Sequence, residues 1–389
     1  MKTLTLIFLL SLSALSVLAK YEEICEQAKY PPDPKTSFVP TYVVNLDLPP
    51  SQRWVEISKI YQKPLAALVT YIKEFALEFS PKLQKIIDLI DNKLGKLADS
   101  LPAPYGEEIK GIANATNIEL GELVLYNIFY EVFTLCTSIV GEDSKGNMYH
   151  ARNLDFGLFL GWDVQNDTWM VSQLLRPLII NVNYTKGGQL QYKTVTFVGF
   201  VGVITGIKPN SFSISINERF GANGGYIGLF EWFLNINRNQ AWTTFLARDV
   251  FENDNMDFDG VIKTLTNTPI IAPVYYIVAG PEKLQGAVVT RDRAKTVDVW
   301  TLGTNDTWFL AETNYDHWKK PLIVDDRITP CNRCMNKLGH EKMSFEGLFN
   351  VLSSKPVLNK LTVYTALMEL KTGKLETYIQ YCPTPCDPF

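Results

Sequence analysis

The stretch Cys136-Thr-Ser-Ile-Val-Gly-Glu-Asp-Ser-Lys-Gly-Asn-Met-Tyr-His-Ala-Arg152 decides the fold class of this sequence. Two short runs, 136–140 and 148–152, flank seven residues that favour turns, and this pattern predicts a β-hairpin. A helical pattern ends at Leu135, directly before the first strand. Cys136 therefore marks the point at which the chain changes from helical to strand-forming sequence.

On the N-terminal side of Cys136 the apolar residues recur at helical spacing, from Trp54 to Ile72 and again from Leu83 to Leu97. Pro64 and Pro81 divide this region into several helices. The segment 81–97 predicts a basic amphipathic helix, because its apolar stripe is flanked by Lys82, Lys85, Lys93 and Lys96. Such a helix either lies on an anionic membrane surface or packs against the rest of the protein.

On the C-terminal side, strand patterns alternate in blocks with helical ones. Strands are predicted at 194–205, 211–217, 274–278, 287–290, 297–301 and 361–370, and helices at 228–236, 242–251 and 258–265. This arrangement favours an α+β layered fold over a doubly wound parallel sheet.

Residues 1–19 are interpreted as a secretory signal peptide, with Lys2 before an apolar run and small residues at Val17 and Ala19. The run is shorter than the roughly 20 apolar residues of a membrane-spanning helix. Four N-x-S/T motifs predict N-glycosylation and agree with passage through the secretory pathway. Their asparagines are Asn114, Asn166, Asn183 and Asn305.

The net charge of -4 has no basic block, which argues against nucleic acid as a partner. No G-x-S-x-G, H-E-x-x-H or P-loop motif occurs, and the chain has only 3 histidines, so no metal or organic cofactor is expected. The 6 cysteines suggest disulfides formed in an oxidising compartment. By its position alone, Cys136 is either a small buried hydrophobe or a nucleophile. Cys331-x-x-Cys334 suggests a redox pair, half a zinc site, or one disulfide cysteine beside a bystander.

Five motifs, in this order along the chain, resemble those of the acid ceramidase family of N-terminal nucleophile hydrolases. They are Cys136-Thr-Ser-Ile-Val-Gly-Glu-Asp-Ser-Lys-Gly, Arg152-Asn-Leu-Asp155-Phe-Gly, Asn217-Glu218-Arg219-Phe220, Glu312-Thr-Asn314-Tyr-Asp316-His-Trp318 and Asp325-Asp326-Arg327. The resemblance covers essentially all of the chain after the signal peptide. It implies an αββα four-layer sandwich and a precursor that cuts itself directly before Cys136.

The same resemblance implies a mainly helical α subunit, 20–135, and a catalytic β subunit, 136–389, joined as a heterodimer. It pairs Cys25 with Cys334 across the two chains and Cys382 with Cys386, which leaves Cys331 as an extra cysteine. The cut has a chemical reason, because it frees an α-amino group on the same residue as the nucleophilic thiol.

The roles of the remaining site residues also follow from the resemblance. Arg152 and Asp155 are expected to hold the new amine and the substrate amide, and Asn314 to donate its side-chain amide to the oxyanion. Glu218 and Arg327 are expected to complete the pocket. From the residues alone, simpler interpretations remain open. These are an Arg152–Asp155 ion pair, a solvated turn at Glu218 and Arg219, and an ion pair of Arg327 with Asp325 or Asp326.

The implied reaction is hydrolysis of ceramide to sphingosine and a fatty acid. The implied location of the protein is the lysosome, with some of it secreted. The implied partners are an anionic lysosomal membrane surface and a saposin-type activator. The stretch 155–162 and the tail Cys382-Pro-Thr-Pro-Cys386 favour this reaction over that of the related amidase acting on N-acylethanolamines. A non-enzymatic lipid-binding protein is the alternative from another class, since 12% aromatic residues and amphipathic helices allow it.

Overall fold

A computed structural model describes residues 25–79, 98–129, 134–156, 161–220 and 239–386. Within them, no helix combines the length and apolarity that crossing a membrane requires. The predicted signal peptide and the predicted helices at 81–97 and 228–236 lie outside the described residues.

The first sheet has eight strands, in the order β1-β6-β7-β8-β9-β10-β11-β12. All neighbours are antiparallel except β1, which runs parallel to β6. The strands are β1 Thr41–Asn45, β6 Ile179–Lys186, β7 Gln189–Phe197, β8 Thr205–Lys208, β9 Phe212–Glu218, β10 Val274–Ala279, β11 Gly286–Arg291 and β12 Thr296–Thr301.

The second sheet has five antiparallel strands, in the order β13-β2-β3-β14-β15. They are β2 Thr134–Glu142, β3 Met148–Phe156, β13 Phe309–Glu312, β14 Thr362–Glu369 and β15 Lys374–Ile379. The predicted hairpin forms the β2–β3 pair at its centre. A separate two-stranded ribbon joins β4 Trp162–Asp163 to β5 Thr168–Trp169.

Helices flank both sheets. They are α1 Pro34–Ser37, α2 Val55–Ile60, α3 Gln62–Phe79, α4 Tyr105–Thr116, α5 Leu120–Phe129, α6 Met170–Leu175, α7 Thr243–Glu252, α8 Phe258–Asn267, α9 Ile328–Leu338 and α10 Phe345–Ser353. Short 3-10 turns lie at Pro50–Gln52, Ala98–Ser100, Arg176–Leu178, Thr304–Asp306, Ile323–Asp325 and His340–Lys342. Asp257 and Ser344 begin α8 and α10 as N-caps, each accepting a backbone N–H with its side chain.

The packing of the apolar residues confirms the layered α+β fold. Val140 and Ile277 meet in a core between the two sheets, which contains side chains from both. Met335 and Leu348 of α9 and α10 cover the outer face of the five-stranded sheet. The helices α2–α5, α7 and α8 cover the eight-stranded sheet in the largest core. The order of layers is therefore helix, sheet, sheet, helix, as expected.

One prediction of secondary structure was wrong in detail, and one strand of the N-terminal region was not predicted. The run 194–205 is two strands, because β7 ends at Phe197 and β8 begins at Thr205. The intervening residues, 198–204, are buried and apolar, so their sequence pattern resembles that of one continuous strand. The N-terminal region also contains β1, which extends the first sheet and was missed beside the stronger helical pattern.

Two disulfides are present, Cys25–Cys334 and Cys382–Cys386. The first joins the N-terminal region to α9, which lies on the C-terminal side of Cys136. Among the described residues Cys136 and Cys331 are free and buried. Cys331 lies in α9, one helical turn before Cys334.

Candidate active site

Cys136 lies in β2, near its N-terminal end, and pairs with Leu154 of β3. Its side chain is fully buried, because it points between the two sheets toward β9, where its thiol lies 3.9 Å from the carbonyl oxygen of Ile216. Leu135 precedes it in the same strand and pairs with Asp155. The peptide bond between Leu135 and Cys136 is therefore held in a regular, buried strand.

Arg152 is the cation beside the thiol. It lies on β3 opposite Ser138, and its Nη2 donates to Cys136 Sγ. Its Nη1 donates to the carbonyl of Ile204 at 3.1 Å and to Thr205 Oγ1 at 2.9 Å, which fixes the guanidinium between the sheets. Because these contacts come from the opposite sheet, the sandwich itself aims Arg152 at the nucleophile.

Burial raises the pKa of the Cys136 thiol to about 11. Arg152 and Arg327 act in the opposite direction, as does the backbone N–H of Asp155, whereas the Asp155 carboxylate raises the pKa. With the chain uncut, burial outweighs the two guanidinium groups. The thiol is therefore protonated and a weak nucleophile in this state.

Asn314 and Arg327 hold the backbone on both sides of the Cys136 α-carbon. The Cys136 N–H donates to Asn314 Oδ1 at 2.9 Å. Arg327 Nη1 donates to the Cys136 carbonyl at 2.5 Å, and its Nη2 donates to Asn314 Oδ1 at 2.8 Å. Asn314 Nδ2 donates to the Glu218 carbonyl at 2.7 Å. The nitrogen that cleavage would turn into an α-amine thus already has a side-chain acceptor.

Carboxylates on its far side orient Arg327. Its Nε donates to Asp325 Oδ1 at 2.7 Å, and its Nη1 lies 3.4 Å from Asp155 Oδ2. Burial alone would lower the pKa of Arg327, but Asp325 and Asp155 raise it above the usual value. Burial raises the pKa of Asp155, against the effects of Arg327 and of the hydrogen bonds from Thr362 and Asn359.

The structure brings the six predicted site residues together, although not all in the expected way. Asp155 meets Arg327, Thr362 and Asn359, and its carboxylate is fully buried. Glu218 reaches Asn314 through its backbone carbonyl, while its half-buried side chain lies at the end of β9. Asn359 and Thr362 were missed, since nothing in the local sequence connects the start of β14 with Asp155.

The simpler interpretations of these charges can now be compared with the contacts. Glu218 is the last residue of β9, and Arg219 pairs with Asp316 at 2.7 Å and with Asp292 at 3.1 Å, so these two residues do not form a solvated turn. Arg327 does pair with Asp325, as one interpretation expected, but the same guanidinium also contacts Cys136 and Asn314. Its ion pair is therefore part of the site.

Cys136 is a buried cysteine near the start of a strand, at the centre of an αββα sandwich. This combination of fold and site is that of the N-terminal nucleophile hydrolases. Residues 136–330 match the linear amide C–N hydrolases of the choloylglycine hydrolase family. Residues 37–101 match the beta subunit of N-acylethanolamine-hydrolyzing acid amidase, so this family model gives the name beta to the N-terminal region.

The matches to individual proteins are longer. The acid ceramidases of Pan troglodytes and Homo sapiens are each 45% identical to this chain over 369 residues, which is 94% of this chain and 93% of each relative. The solved structure of the Caenorhabditis elegans ortholog of N-acylethanolamine-hydrolyzing acid amidase is 31% identical. It covers 63% of this chain and 100% of its own, with a TM-score of 0.53. The chain belongs to the acid ceramidase family, and it is a hydrolase of linear amides.

Proposed function

We propose that this protein hydrolyses the amide of ceramide to sphingosine and a free fatty acid, after cutting its own chain between Leu135 and Cys136. The observation that carries the proposal is the set of contacts around Cys136. Arg152 contacts its thiol, Asn314 its nitrogen and Arg327 its carbonyl. The identity of the substrate is supported by the full-length relatives, which are acid ceramidases.

In the self-cleavage step, Cys136 Sγ attacks the carbonyl carbon of Leu135. The bond from that carbon to the Cys136 nitrogen breaks, and the thiol proton passes to the nitrogen, which leaves as an amine. Water then hydrolyses the Leu135 thioester and restores the thiol. Asn314 Oδ1, which already accepts the N–H at 2.9 Å, would hold the new amine in place.

In the hydrolysis of ceramide, the α-amine of Cys136 takes the thiol proton, because the two groups have similar unperturbed pKa values of about 8 and 8.5. Arg152 stabilises the thiolate, which attacks the substrate carbonyl. The proton moves to the sphingosine nitrogen as that amine leaves, and water hydrolyses the acyl thioester. We assign the stabilisation of the oxyanion to the side-chain amide of Asn314, whose Nδ2 donates to the Glu218 carbonyl at 2.7 Å beside Cys136.

Hydrolysis of N-acylethanolamines is the second candidate function. The match of residues 37–101 to a subunit of such an amidase and the 31% identity to the nematode ortholog favour it. The chemistry at Cys136 would be the same, and only the leaving amine differs. A protein that merely binds lipid, the alternative from another class, is not supported, because residues 136–330 match a family of linear amide hydrolases.

The setting we propose is the lysosome, reached through a signal peptide at 1–19, with some protein secreted. The anionic lysosomal membrane and a saposin-type activator are the proposed partners. After the cut, Cys25–Cys334 would link the two chains as a disulfide heterodimer. Of the proposed glycosylation sites, Asn114, Asn166 and Asn305 are exposed, and Asn183 is half-buried in β6.

Purified protein incubated at acid pH is expected to give two chains on reduction, of which the larger begins Cys-Thr-Ser. Because Cys25–Cys334 links them, non-reducing electrophoresis should show one species. The same preparation should release sphingosine from ceramide with a higher kcat/KM than it releases ethanolamine from an N-acylethanolamine. N-terminal sequencing and a competition assay with both substrates measure these outcomes. A fully active uncut chain would refute the mechanism, and preference for the ethanolamide would select the second candidate.

The raised thiol pKa predicts slow alkylation of Cys136 in the uncut chain. A pKa of about 11 leaves roughly one thiol in a thousand ionised at pH 8, so the rate with iodoacetamide should rise with pH until about 11. Digestion and mass spectrometry separate peptides that span Leu135–Cys136 from peptides that begin at Cys136. Peptides that begin at Cys136 should be modified much faster at pH 8, while buried Cys331 remains unmodified in both. Equal modification of the two forms would contradict this prediction.

A further inference from the structure

Polar side chains fill the space between the two sheets beside Cys136. On β9, every second residue, Ser213, Ser215 and Asn217, faces the second sheet, and Ser138 and His150 face them from β2 and β3. All five are fully buried. Polar groups in such a place destabilise a fold unless they are hydrogen-bonded.

The upper part of this group is centred on His150. Its Nδ1 lies 2.8 Å from Ser213 Oγ, and its Nε2 lies 2.8 Å from Ser215 Oγ. Ser215 Oγ in turn lies 2.9 Å from Ser138 Oγ. The chain of hydrogen bonds thus crosses from β9 to β3, returns to β9, and reaches β2 two residues after Cys136.

The lower part is centred on Asn217. Ser138 Oγ lies 2.9 Å from Asn217 Oδ1. Asn217 Nδ2 donates to the carbonyls of Glu312 at 3.0 Å and Thr313 at 2.9 Å. These two carbonyls are at the C-terminal end of β13 and directly precede Asn314.

The donor and acceptor of every hydrogen bond in this chain follow from its last two acceptors, the carbonyls of Glu312 and Thr313. Because carbonyls only accept, Asn217 must place its NH2 toward them and its Oδ1 toward Ser138. Ser138 must therefore donate to Asn217, Ser215 to Ser138, and His150 Nε2–H to Ser215. The Nδ1 of His150 is then left as the acceptor of the Ser213 hydroxyl.

The two hydrogen bonds of His150 keep these donors and acceptors in an acidic compartment. Burial, with a smaller effect of Arg152, lowers its pKa to about 3. The imidazole is therefore neutral at the pH of a lysosome, and one ring nitrogen remains an acceptor. The other charged groups near this chain are Arg152, which contacts the thiol, and Glu312, whose pKa is raised well above its usual value by burial.

We infer that Asn217 is a positioning residue for the reaction at Cys136. By holding the carbonyls of Glu312 and Thr313, it sets the place of Asn314, whose Oδ1 accepts the Cys136 N–H at 2.9 Å. Ser138, two residues after Cys136, donates to Asn217 Oδ1 and so keeps the Asn217 NH2 turned toward the two carbonyls. The inference rests on the proposed function of Cys136 and Asn314.

The first test replaces Asn217 with leucine, which has nearly the same shape but donates to neither carbonyl. A displacement of Asn314 by about 1 Å should lower kcat by on the order of 100-fold, with little change in KM, and should slow self-cleavage. Substrate kinetics on acid-treated protein and the fraction of cut chain over time measure both effects. Thermal unfolding of each variant verifies that it is folded at the assay temperature. A wild-type kcat in folded Asn217→Leu would overturn the inference.

The second test does not depend on the folding of Asn217→Leu. Ser138→Ala removes the donor to Asn217, whereas Ser138→Thr keeps a hydroxyl at the same position. The alanine variant should lose kcat and the threonine variant should recover much of it. Ser58→Ala, which removes a fully buried hydroxyl from α2, is the matched control and should keep its kcat. Equal kcat values for Ser138→Ala and wild type would refute the role of this chain of hydrogen bonds in positioning Asn314.

The two proposals fail in different ways. If Cys136→Ala keeps its activity, the proposed function is wrong, and the position of Asn314 has no bearing on the reaction. If Cys136→Ala is inactive but Asn217→Leu and Ser138→Ala both turn over at the wild-type rate, only the positioning role is wrong.

Discussion

Cys136→Ala is expected to remain a single uncut chain and to lose hydrolysis of ceramide by on the order of 10⁴-fold or more. The reason is that one thiol serves both reactions. Without it, no group is left to attack the Leu135 carbonyl, and none to form the acyl thioester. Intact-mass analysis after acid incubation measures the first loss, and release of sphingosine measures the second.

Cys331→Ala is the matched control for this experiment. Cys331 is the other free cysteine among the described residues, and it is also fully buried. Burial raises its pKa to about 12, and Arg327 lowers it, as at Cys136. The two cysteines thus differ mainly in the contact of the Cys136 thiol with Arg152, in the hydrogen bond from the Cys136 N–H to Asn314 and in their distance from the scissile bond. Normal processing and activity are expected for Cys331→Ala, and a Cys136→Ala protein that still cuts itself would rule out the mechanism.

The sequence predicted the hairpin at the centre of the site because its signal is local. Two strand-forming runs separated by Gly141-Glu-Asp-Ser-Lys-Gly-Asn147 became β2 and β3 over their full predicted length. The strands at Ile179–Lys186 and Lys374–Ile379 were missed. In Ile179–Lys186 the apolar residues are interleaved with Asn181, Asn183 and Thr185, and Lys374–Ile379 has only one buried residue, Thr377, so neither run contains a continuous block of strand-forming apolar residues.

The constellation around Cys136 could not be derived from spacing. Asn359 meets Asp155 across 204 residues of sequence, and Arg327 meets the Cys136 carbonyl across 191. No local periodicity encodes such pairs, because they depend on which strands become neighbours. Motif resemblance located Asn314 and Arg327, but it did not show that Asn314 holds the Cys136 N–H. That contact appears only once β13 is paired with β2.

The contact between the two proposed chains also depends on residues far apart in the sequence. Glu108 of α4 is fully buried and accepts from Arg248 of α7 through both guanidinium ends, at 2.6 and 2.7 Å. Arg53 and Trp54 of the N-terminal region donate to the same carboxylate at 2.9 and 2.7 Å. The N-terminal chain would therefore stay attached after the cut through a buried, fully hydrogen-bonded ion pair, in addition to the disulfide.

Arg248 is held from its own side as well. Its Nε donates to Glu252 Oε1 at 2.7 Å, and its Nη1 donates to the Val201 carbonyl at 2.8 Å. The rings of Tyr105 and Tyr184 lie 5.2 and 5.3 Å from its central carbon. Burial alone would lower the pKa of Arg248, but Glu108 raises it well above the usual value, so Arg248 is charged.

Arg248→Met is expected to lower the free energy of unfolding by about 2–5 kcal/mol, because it removes the guanidinium that donates twice to the buried Glu108 carboxylate and leaves Arg53 as its remaining cation. The measurement is urea denaturation in the Cys136→Ala background, in which the chain stays whole and the unfolding of one polypeptide is followed. The double variant Glu108→Gln with Arg248→Met removes the charge as well as its partner, so its loss should be smaller than that of Arg248→Met alone. Lys59→Met is the surface control, since its pair with Glu56 is exposed and should contribute within about 0.5 kcal/mol. If Arg248→Met unfolds at the same urea concentration as its parent, the buried pair does not stabilise the contact between the two chains.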